Sequence, residues 1–238
     1  MYSKFAKWYD LHYCSLKDYE AEAERIDYIL GKFDPKPRSV LDVACGTGEH
    51  ASILAKKYGY EVDGIDLEPD LIEIASAKCP KGEFTVADMR SFSLSKQYDV
   101  ALCLFSSIAY SETSEGLLAT LTQIGKHLKT GGWLIIEPWV EPADWKTGIV
   151  DASESFDKDT QTKVLQAREG RSERRVSVLN IDYHIESPEG DFHFTETHRL
   201  GLFTRRQIEK AMKETGFQPK YVPKGVLEAP LYLGCYLP

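Results

Sequence analysis

The residues best able to do chemistry lie in a turn of small residues that follows a short apolar run. Residues 40–55 read VLDVACGTGEHASILA, with an acid, Asp42, inside the run and small side chains at Ala44, Gly46 and Gly48. Small residues at this spacing leave the backbone between a strand and a helix bare, so that a ligand can approach it closely. Such turns bind two classes of ligand, dinucleotides and S-adenosylmethionine (SAM).

Acids near this turn help to separate the two ligand classes. A carboxylate at Asp42 would oppose a pyrophosphate bound at the helix N-terminus, whereas it suits the ammonium and sulfonium groups of SAM. Asp66 ends the next apolar run, where an acid accepts hydrogen bonds from both ribose hydroxyls, and Leu67 follows it at the same site. Asp88 and Met89 follow the third run. We expect both to bind the adenine, through the carboxylate and through backbone and apolar contact.

Strand and helix signals alternate along the first part of the chain and position these residues. This alternation predicts an α/β fold, in which a parallel sheet carries helices on both faces and binds its ligand at the carboxyl ends of the strands. We expect strands at 40–44, 61–65, 84–87, 100–105 and 133–137, and helices at 17–32, 51–57, 70–77 and 116–128.

The pattern changes after Pro142, and the chain of 238 residues is predicted to form one domain with an insertion. Few helix signals follow Pro142 until a last helix and two last strands. We divide the chain into N-terminal helices at 1–34, a SAM-binding core at 35–142, an antiparallel insertion at 143–203, and a C-terminal helix with the last two strands at 204–238.

A β-hairpin is predicted inside this insertion. The letters SPEG at 187–190 are typical of a turn, and they place Ile185 opposite Phe192 on an apolar face. The same register puts Glu196 and His198 on that face, where polar groups need partners. We therefore expect His198 to face the cleft.

Composition excludes several classes of partner. The formal net charge is -8, which disfavours nucleic acid because phosphate binding needs a basic surface. Five cysteines without a C-x-x-C pair indicate reduced thiols in a cytoplasm and no zinc site. The N-terminus lacks the apolar segment of a signal peptide, and no apolar run is long enough to span a membrane. We predict a cytoplasmic protein with no metal and no membrane partner.

The ordered segments DVACGTG, GID, ADM and LKTGGWLIIEPW resemble those of class I SAM-dependent methyltransferases. The combination is far more specific than the glycine turn alone. The resemblance implies SAM as the cofactor, S-adenosylhomocysteine as its product, and a Rossmann-like seven-stranded sheet with an antiparallel insertion covering the cleft. The small residues of the turn would then admit the methionine end of SAM.

Further segments resemble one subgroup, the N-methyltransferases of nucleotide-linked amino deoxysugars of the desosamine and mycaminose type. They are YDLHY, ADMRSF, LFSSIAY, EPW and HRLGLFTRRQIEKAMKETGF. The resemblance implies a small-molecule amine as acceptor and a homodimer. It places Tyr9 and Tyr13 near the SAM carboxylate, Leu104 beside the adenosine, Tyr2 and Tyr110 beside the acceptor amine as catalytic residues, and Trp139, Arg168 and His198 on the substrate side.

Methyl transfer of this kind asks little of side chains, because the sulfonium is already activated and alignment does most of the work. An amine nucleophile must be unprotonated, and Tyr110 or Tyr2 can accept its proton or orient its lone pair. Three alternatives stay open at this point: an O-methyltransferase of small molecules, an NAD(P)-binding oxidoreductase, and a SAM-binding module without catalysis.

One stretch departs from the subgroup. Where its members carry an arginine that suits a diphosphate, residues 227–232 read LEAPLY and add an acid, Glu228. We therefore expect a nucleotide diphosphate to bind poorly unless Arg168 or Arg199 replaces that arginine. An acceptor amine without a nucleotide is slightly favoured by this argument.

Overall fold

Two helices begin the structure. The computed structural model describes residues 4–238, apart from the side chains at 149 and 150. Helix α1 is Ala6–Leu16 and α2 is Tyr19–Leu30. The Asp18 side chain accepts a hydrogen bond from the Ala21 amide at 2.9 Å and so begins α2, which explains why the predicted single helix at 17–32 starts later.

A seven-stranded sheet forms the centre of the fold and confirms the predicted α/β class. In sheet order its strands run β10-β11-β5-β4-β1-β2-β3; β11 is antiparallel to β5 and β10, and the other pairs are parallel. The strands are β1 Ser39–Val43, β2 Glu61–Asp66, β3 Phe84–Val86, β4 Tyr98–Cys103, β5 Leu128–Ile136, β10 Phe217–Val226 and β11 Ala229–Tyr236.

Helices cover both faces of this sheet, as the alternation of strand and helix signals predicts. Successive side chains of a strand point to opposite faces, so Val40 packs on one buried cluster and Leu41 on the other. Strand β5 begins at Leu128, earlier than the predicted 133, and it contains Gly131 at φ +81° close to an irregular register with β4. The helices are α3 Glu49–Tyr58, α4 Pro69–Lys78, α5 Ser114–Lys126 and α6 Arg205–Glu214, with a 3₁₀ turn at Ser107–Ser111.

A second, four-stranded antiparallel sheet forms the insertion. Its strands, in spatial order, are β6 Gly148–Asp157, β7 Thr162–Glu173, β8 Val176–Ser187 and β9 Gly190–Gly201. Ile185 lies opposite Phe192, which confirms the predicted register of the β8–β9 hairpin. The first hairpin, β6–β7, was not predicted, because its strands alternate charged and small residues with few apolar ones.

Helix α1 joins this second sheet to the core. The Phe5 ring, just before α1, stacks on Tyr183 of β8 with 4.0 Å between ring centroids. His12 of α1 lies between two hydroxyls of β6, with Nδ1 at 2.8 Å from Ser155 Oγ and Nε2 at 3.1 Å from Ser153 Oγ. Helix α1 therefore fixes the second sheet above the ends of the central strands. Within residues 4–238, no helix is long and apolar enough to cross a membrane.

Candidate active site

A cleft lies at the carboxyl ends of the central strands, beneath the second sheet. Its walls come from α1, from the ends of β1 to β4, from the 3₁₀ turn and from the inner face of the second sheet. Fourteen of the sequence-predicted site residues line it: Tyr9, Tyr13, Asp42, Ala44, Gly46, Asp66, Leu67, Asp88, Met89, Leu104, Tyr110, Trp139, Arg168 and His198. Tyr2 lies outside the described residues.

The turn after β1 forms a bare backbone cradle. Ala44 and Gly46 have φ of +58° and +55°, in the left-handed region that glycine adopts without strain. Among residues 4–238, a Cβ at Gly46 would have the Tyr9 hydroxyl as its one neighbour within 4 Å, at 4.0 Å, so it would project into the open cleft. A side chain at Gly46 would thus fill the space that a ligand uses, and the cradle fits the methionine end of SAM.

Gly48 is not among the described residues that line the cleft, and its assignment to the cofactor stays a prediction. It precedes α3 with φ +71°, and a Cβ there would lie 2.8 Å from the Ala75 Cβ of α4. The glycine is therefore needed for the close approach of α3 to α4.

Asp66, at the end of β2, holds the glycine turn in place through hydrogen bonds to backbone amides. Its Oδ2 accepts a hydrogen bond from the Gly46 amide at 2.8 Å, and its Oδ1 accepts one from the Glu68 amide at 3.0 Å. Burial raises the pKa of Asp66, although these amides oppose the rise. Each oxygen keeps a second lone pair, which can accept a ribose hydroxyl.

Asp42 is the most deeply buried acid of the cleft, with 3% of its surface exposed. Burial raises the pKa of Asp42 to about 6; the His50 imidazole opposes the rise and the Asp66 carboxylate adds to it. A cation bound beside Asp42 would favour its ionised form. The electrostatics therefore fit the ammonium or sulfonium of SAM rather than a pyrophosphate.

A buried polar group beside the glycine turn was missed by the sequence analysis. His50 lines the cleft, and its Nε2 lies 2.8 Å from Glu22 Oε2 of α2. Lys17 Nζ lies 3.0 Å from the other Glu22 oxygen. Burial alone would raise the pKa of Glu22, but His50 and Lys17 outweigh it and lower that pKa. His50 stands directly after GTGE in the sequence, but its partner on α2 becomes visible only in the folded chain.

Asp88, which we expect to bind the adenine, forms an ion pair with Arg90. Arg90 Nη2 donates to Asp88 Oδ2 at 2.6 Å, and Arg90 Nε lies 3.0 Å from Oδ1. The hydrogen bonds from Arg90 hold the pKa of Asp88 below its usual range. The adenine amine would therefore share this carboxylate with Arg90, while Met89, 8% exposed, supplies the apolar contact.

Opposite the glycine turn, three polar side chains form a chain of contacts. Tyr110, in the 3₁₀ turn, has its hydroxyl 2.8 Å from His198 Nδ1 of β9. His198 Nε2 lies 3.4 Å from Glu196 Oε2. His198 and Glu196 are 1% and 7% exposed, and of the two only His198 is among the described residues that line the cleft.

The two candidate arginines differ in position. Arg168 lines the cleft, with Nε at 2.6 Å from Asp151 Oδ1. Arg199 is not among the described residues that line it, and it pairs with Glu112 of the cleft wall at 2.9 Å and with Glu173 at 2.7 Å.

Residues 227–232 are not among the described residues that line the cleft. The side chain of Glu228 is 76% exposed and pairs with Lys224 at 2.7 Å. Glu228 therefore does not repel a ligand of the cleft, because an acid so far into solvent is screened, and the missing arginine is what remains of the departure from the subgroup.

Comparison with known proteins agrees with this geometry. Residues 40–132 match the family model described as a methyltransferase domain. The chain is 34% identical, over 97% of its length and 90% of the relative's, to the dTDP-3-amino-3,6-dideoxy-alpha-D-glucopyranose N,N-dimethyltransferase of Streptomyces fradiae.

Solved structures show the same fold. The crystal structure of DesVI from Streptomyces venezuelae matches with a TM-score of 0.89 and 30% identity, covering 98% of both chains. SAM-bound CalS10, an amino pentose methyltransferase from Micromonospora echinaspora, matches with a TM-score of 0.80 and 25% identity over 92% of both chains. The chain uses SAM as its cofactor, and it belongs to the class I SAM-dependent methyltransferases, in the family of the nucleotide-linked amino-sugar N-methyltransferases.

Proposed function

We propose that this enzyme transfers methyl groups from SAM to the amino group of a nucleotide-linked amino sugar. The observation that carries the proposal is the composition of the cleft: the glycine cradle forms one wall, and Tyr110, Trp139 and Arg168 form the other. The name of the Streptomyces fradiae relative, similar over nearly the whole chain, gives the acceptor class.

The roles we propose for the chain's residues follow from their positions. Bound SAM supplies an activated methyl group. The Gly46 backbone and the Asp66 carboxylate hold the ligand at the strand ends, and Asp42 balances its positive charge. Tyr110 faces the cleft and orients the amine lone pair, so that proximity and alignment provide most of the rate.

A direct test is incubation of the wild-type enzyme with SAM and dTDP-3-amino-3,6-dideoxyglucose. We expect mass spectrometry to show products with one and then two added methyl groups, and none when SAM is left out. Turnover of simple amines but not of the nucleotide sugar would contradict the proposed acceptor. Turnover of a hydroxyl acceptor alone would favour the O-methyltransferase alternative.

Arg168 is the residue we propose for the diphosphate. An arginine–phosphate pair is a strong, charge-assisted contact, and Arg168 is the arginine of the pair that faces the cleft. We expect Arg168→Ala to weaken thymidine diphosphate binding about tenfold or more, equivalent to about 1.4 kcal/mol. Arg199→Ala is the matched control and should bind normally. The opposite ranking, measured by calorimetry, would place the phosphate at Arg199 instead of Arg168.

We also propose that the whole chain works as one domain, in the cytoplasm, as a homodimer. The support for one domain is that the cleft takes residues from α1, the core and the insertion alike. The five cysteines are all unpaired, as expected of a reducing compartment. Light scattering during size-exclusion chromatography tests the dimer, and a monomer at micromolar concentration would contradict it.

A further inference from the structure

Glu196 is a buried carboxylate without a hydrogen bond in the described chain. Both of its oxygens are shielded from solvent, and neither accepts a hydrogen bond from residues 4–238. Its one described charged neighbour within ion-pair distance is His198, whose Nε2 lies 3.4 Å from Glu196 Oε2. An isolated carboxylate at such a place is costly, and proteins avoid that cost by pairing or by protonation.

The strand register explains why Glu196 and His198 share one face. Residues two apart on β9 point to the same side, and this side of the second sheet covers the cleft. Across the sheet, Glu196 lies opposite Ile181, which lies opposite Arg168. His198 lies opposite Leu179.

Few described titratable groups face the pair. Tyr110 reaches His198 from the 3₁₀ turn, and Arg168 lies two strands away on the same face. Tyr183 stands beside Glu196, and burial, then Tyr13 and Glu196, raise the pKa of Tyr183. Among the described residues, His198 is the titratable group within ion-pair distance of Glu196, and so it is the group able to exchange a proton with that carboxylate.

We propose that Glu196 and His198 form a proton-accepting pair that takes the proton of the acceptor amine through Tyr110. This inference rests on the proposed amine acceptor. The Tyr110 hydroxyl lies 2.8 Å from His198 Nδ1, and His198 Nε2 lies 3.4 Å from Glu196 Oε2, an ion-pair distance that must shorten to a hydrogen bond when the proton passes. Glu196 acts through His198 and is a positioning and proton-storing residue.

The step balances as follows for each methyl group. The bound ammonium first gives a proton to the Tyr110 oxygen, while the Tyr110 hydroxyl proton passes to His198 Nδ1 and the His198 Nε2 proton passes to Glu196, which becomes neutral. The neutral amine nitrogen then bonds to the methyl carbon while the carbon–sulfur bond breaks and sulfur keeps the electron pair, and the product leaves as an ammonium. The stored proton then returns by the same path, from Glu196 to His198 Nε2, from His198 Nδ1 to Tyr110 and from Tyr110 to water in the open cleft, which restores the starting tautomer.

The decisive variant is Glu196→Gln, which keeps the shape and removes the charge. With dTDP-3-amino-3,6-dideoxyglucose and SAM we expect kcat to fall about 100-fold near pH 7, the size of a general-base contribution. The deficit should shrink as the pH rises, because the amine then loses its proton in solution. Glu186→Gln on β8, whose carboxylate is 52% exposed, is the matched control and should be normal throughout.

The pH dependence separates a proton relay from a structural role. A Glu196 that only supports the fold would give the same fractional loss at every pH, and this result would overturn the proposal. The affinity for S-adenosylhomocysteine should stay within about twofold of wild type, because Glu196 is not among the residues lining the cleft.

A second readout needs no turnover and so remains decisive if the acceptor is not an amino sugar. The chain has six histidines, so ¹⁵N spectra can resolve each imidazole, with His198→Gln assigning one. In the protein saturated with S-adenosylhomocysteine, Glu196→Gln should shift the His198 Nε2 signal, because the group 3.4 Å from that nitrogen loses its charge, whereas Glu186→Gln should leave the signal unchanged. An unchanged His198 signal in Glu196→Gln refutes the pair, whereas a shifted signal together with no turnover of the amino sugar by the wild type refutes only the acceptor.

Discussion

Neutralising Asp42 should stabilise the ligand-free protein while it weakens cofactor binding. Asp42 is 3% exposed, and burial raises its pKa from 3.8 to about 6. The rise corresponds to about 3 kcal/mol of interaction that disfavours the charged form in the folded chain. Asp42→Asn removes this cost, since an amide is neutral at every pH.

The sign follows from proton binding in the two states. Between about pH 4 and pH 6 the folded chain holds a proton on Asp42 that the unfolded chain has lost. The stability that Asp42 contributes is therefore fully present below about pH 4 and is lost as the pH rises through about 6. The free energy of unfolding of Asp42→Asn relative to wild type should therefore rise by about 3 kcal/mol as the pH goes from about 4 to about 6, and it should stay at that level up to about pH 8.

Urea unfolding of both proteins across this range measures the difference, and other titrating groups cancel. Asp99→Asn is a control of opposite sign: burial alone would raise the pKa of Asp99, but Lys129, Ser39 and Arg38 hold it well below its usual range. That variant should lose stability at neutral pH. A stability difference between Asp42→Asn and wild type that does not change with pH would refute the reasoning.

The same variant should bind SAM about tenfold more weakly, equivalent to about 1.4 kcal/mol, because the ligand loses its buried counter-ion. Calorimetry at about pH 8, where Asp42 is ionised in the wild type, gives the clearest comparison. Unchanged affinity together with raised stability would mean that Asp42 does not face the positive charge.

Three further predictions concern the cleft and the residues packed against it. Gly46→Val should abolish SAM binding by calorimetry, whereas Gly48→Ala should mainly lower the melting temperature, since its Cβ meets Ala75 rather than the cleft; equal affinities in the two variants would contradict this division. Asp66→Asn should weaken S-adenosylhomocysteine about 10- to 100-fold, because hydrogen bonds to a charged acceptor are worth about 1.5–3 kcal/mol; full affinity would remove Asp66 from the site. Glu22→Gln should lower the free energy of unfolding at neutral pH, because the lowered pKa of Glu22 means that its contribution is present at neutral pH and is lost as the pH falls. The variant should therefore lose less stability than the wild type on acidification. Denaturation at several pH values measures this, and an equal loss in both proteins would contradict it.

The cofactor side of the site was predictable because its residues follow strands that are local in sequence. Parallel strands end at one edge of a sheet, so Asp42, Gly46, Asp66 and Asp88 had to meet once the alternation of strands and helices was recognised. The register of the β8–β9 hairpin was also local, since a tight turn fixes which residues pair.

Contacts between distant segments were decided by the tertiary structure alone. No local pattern brings Glu22 to His50, or Tyr110 to His198, because these pairs depend on how α2 and the second sheet pack on the core. The position of Arg199 likewise depends on how the second sheet packs on the core. The sequence by itself determined the fold and the cofactor, through strand ends and turn chemistry, whereas only packing decided which buried charges share a partner and which arginine faces the cleft.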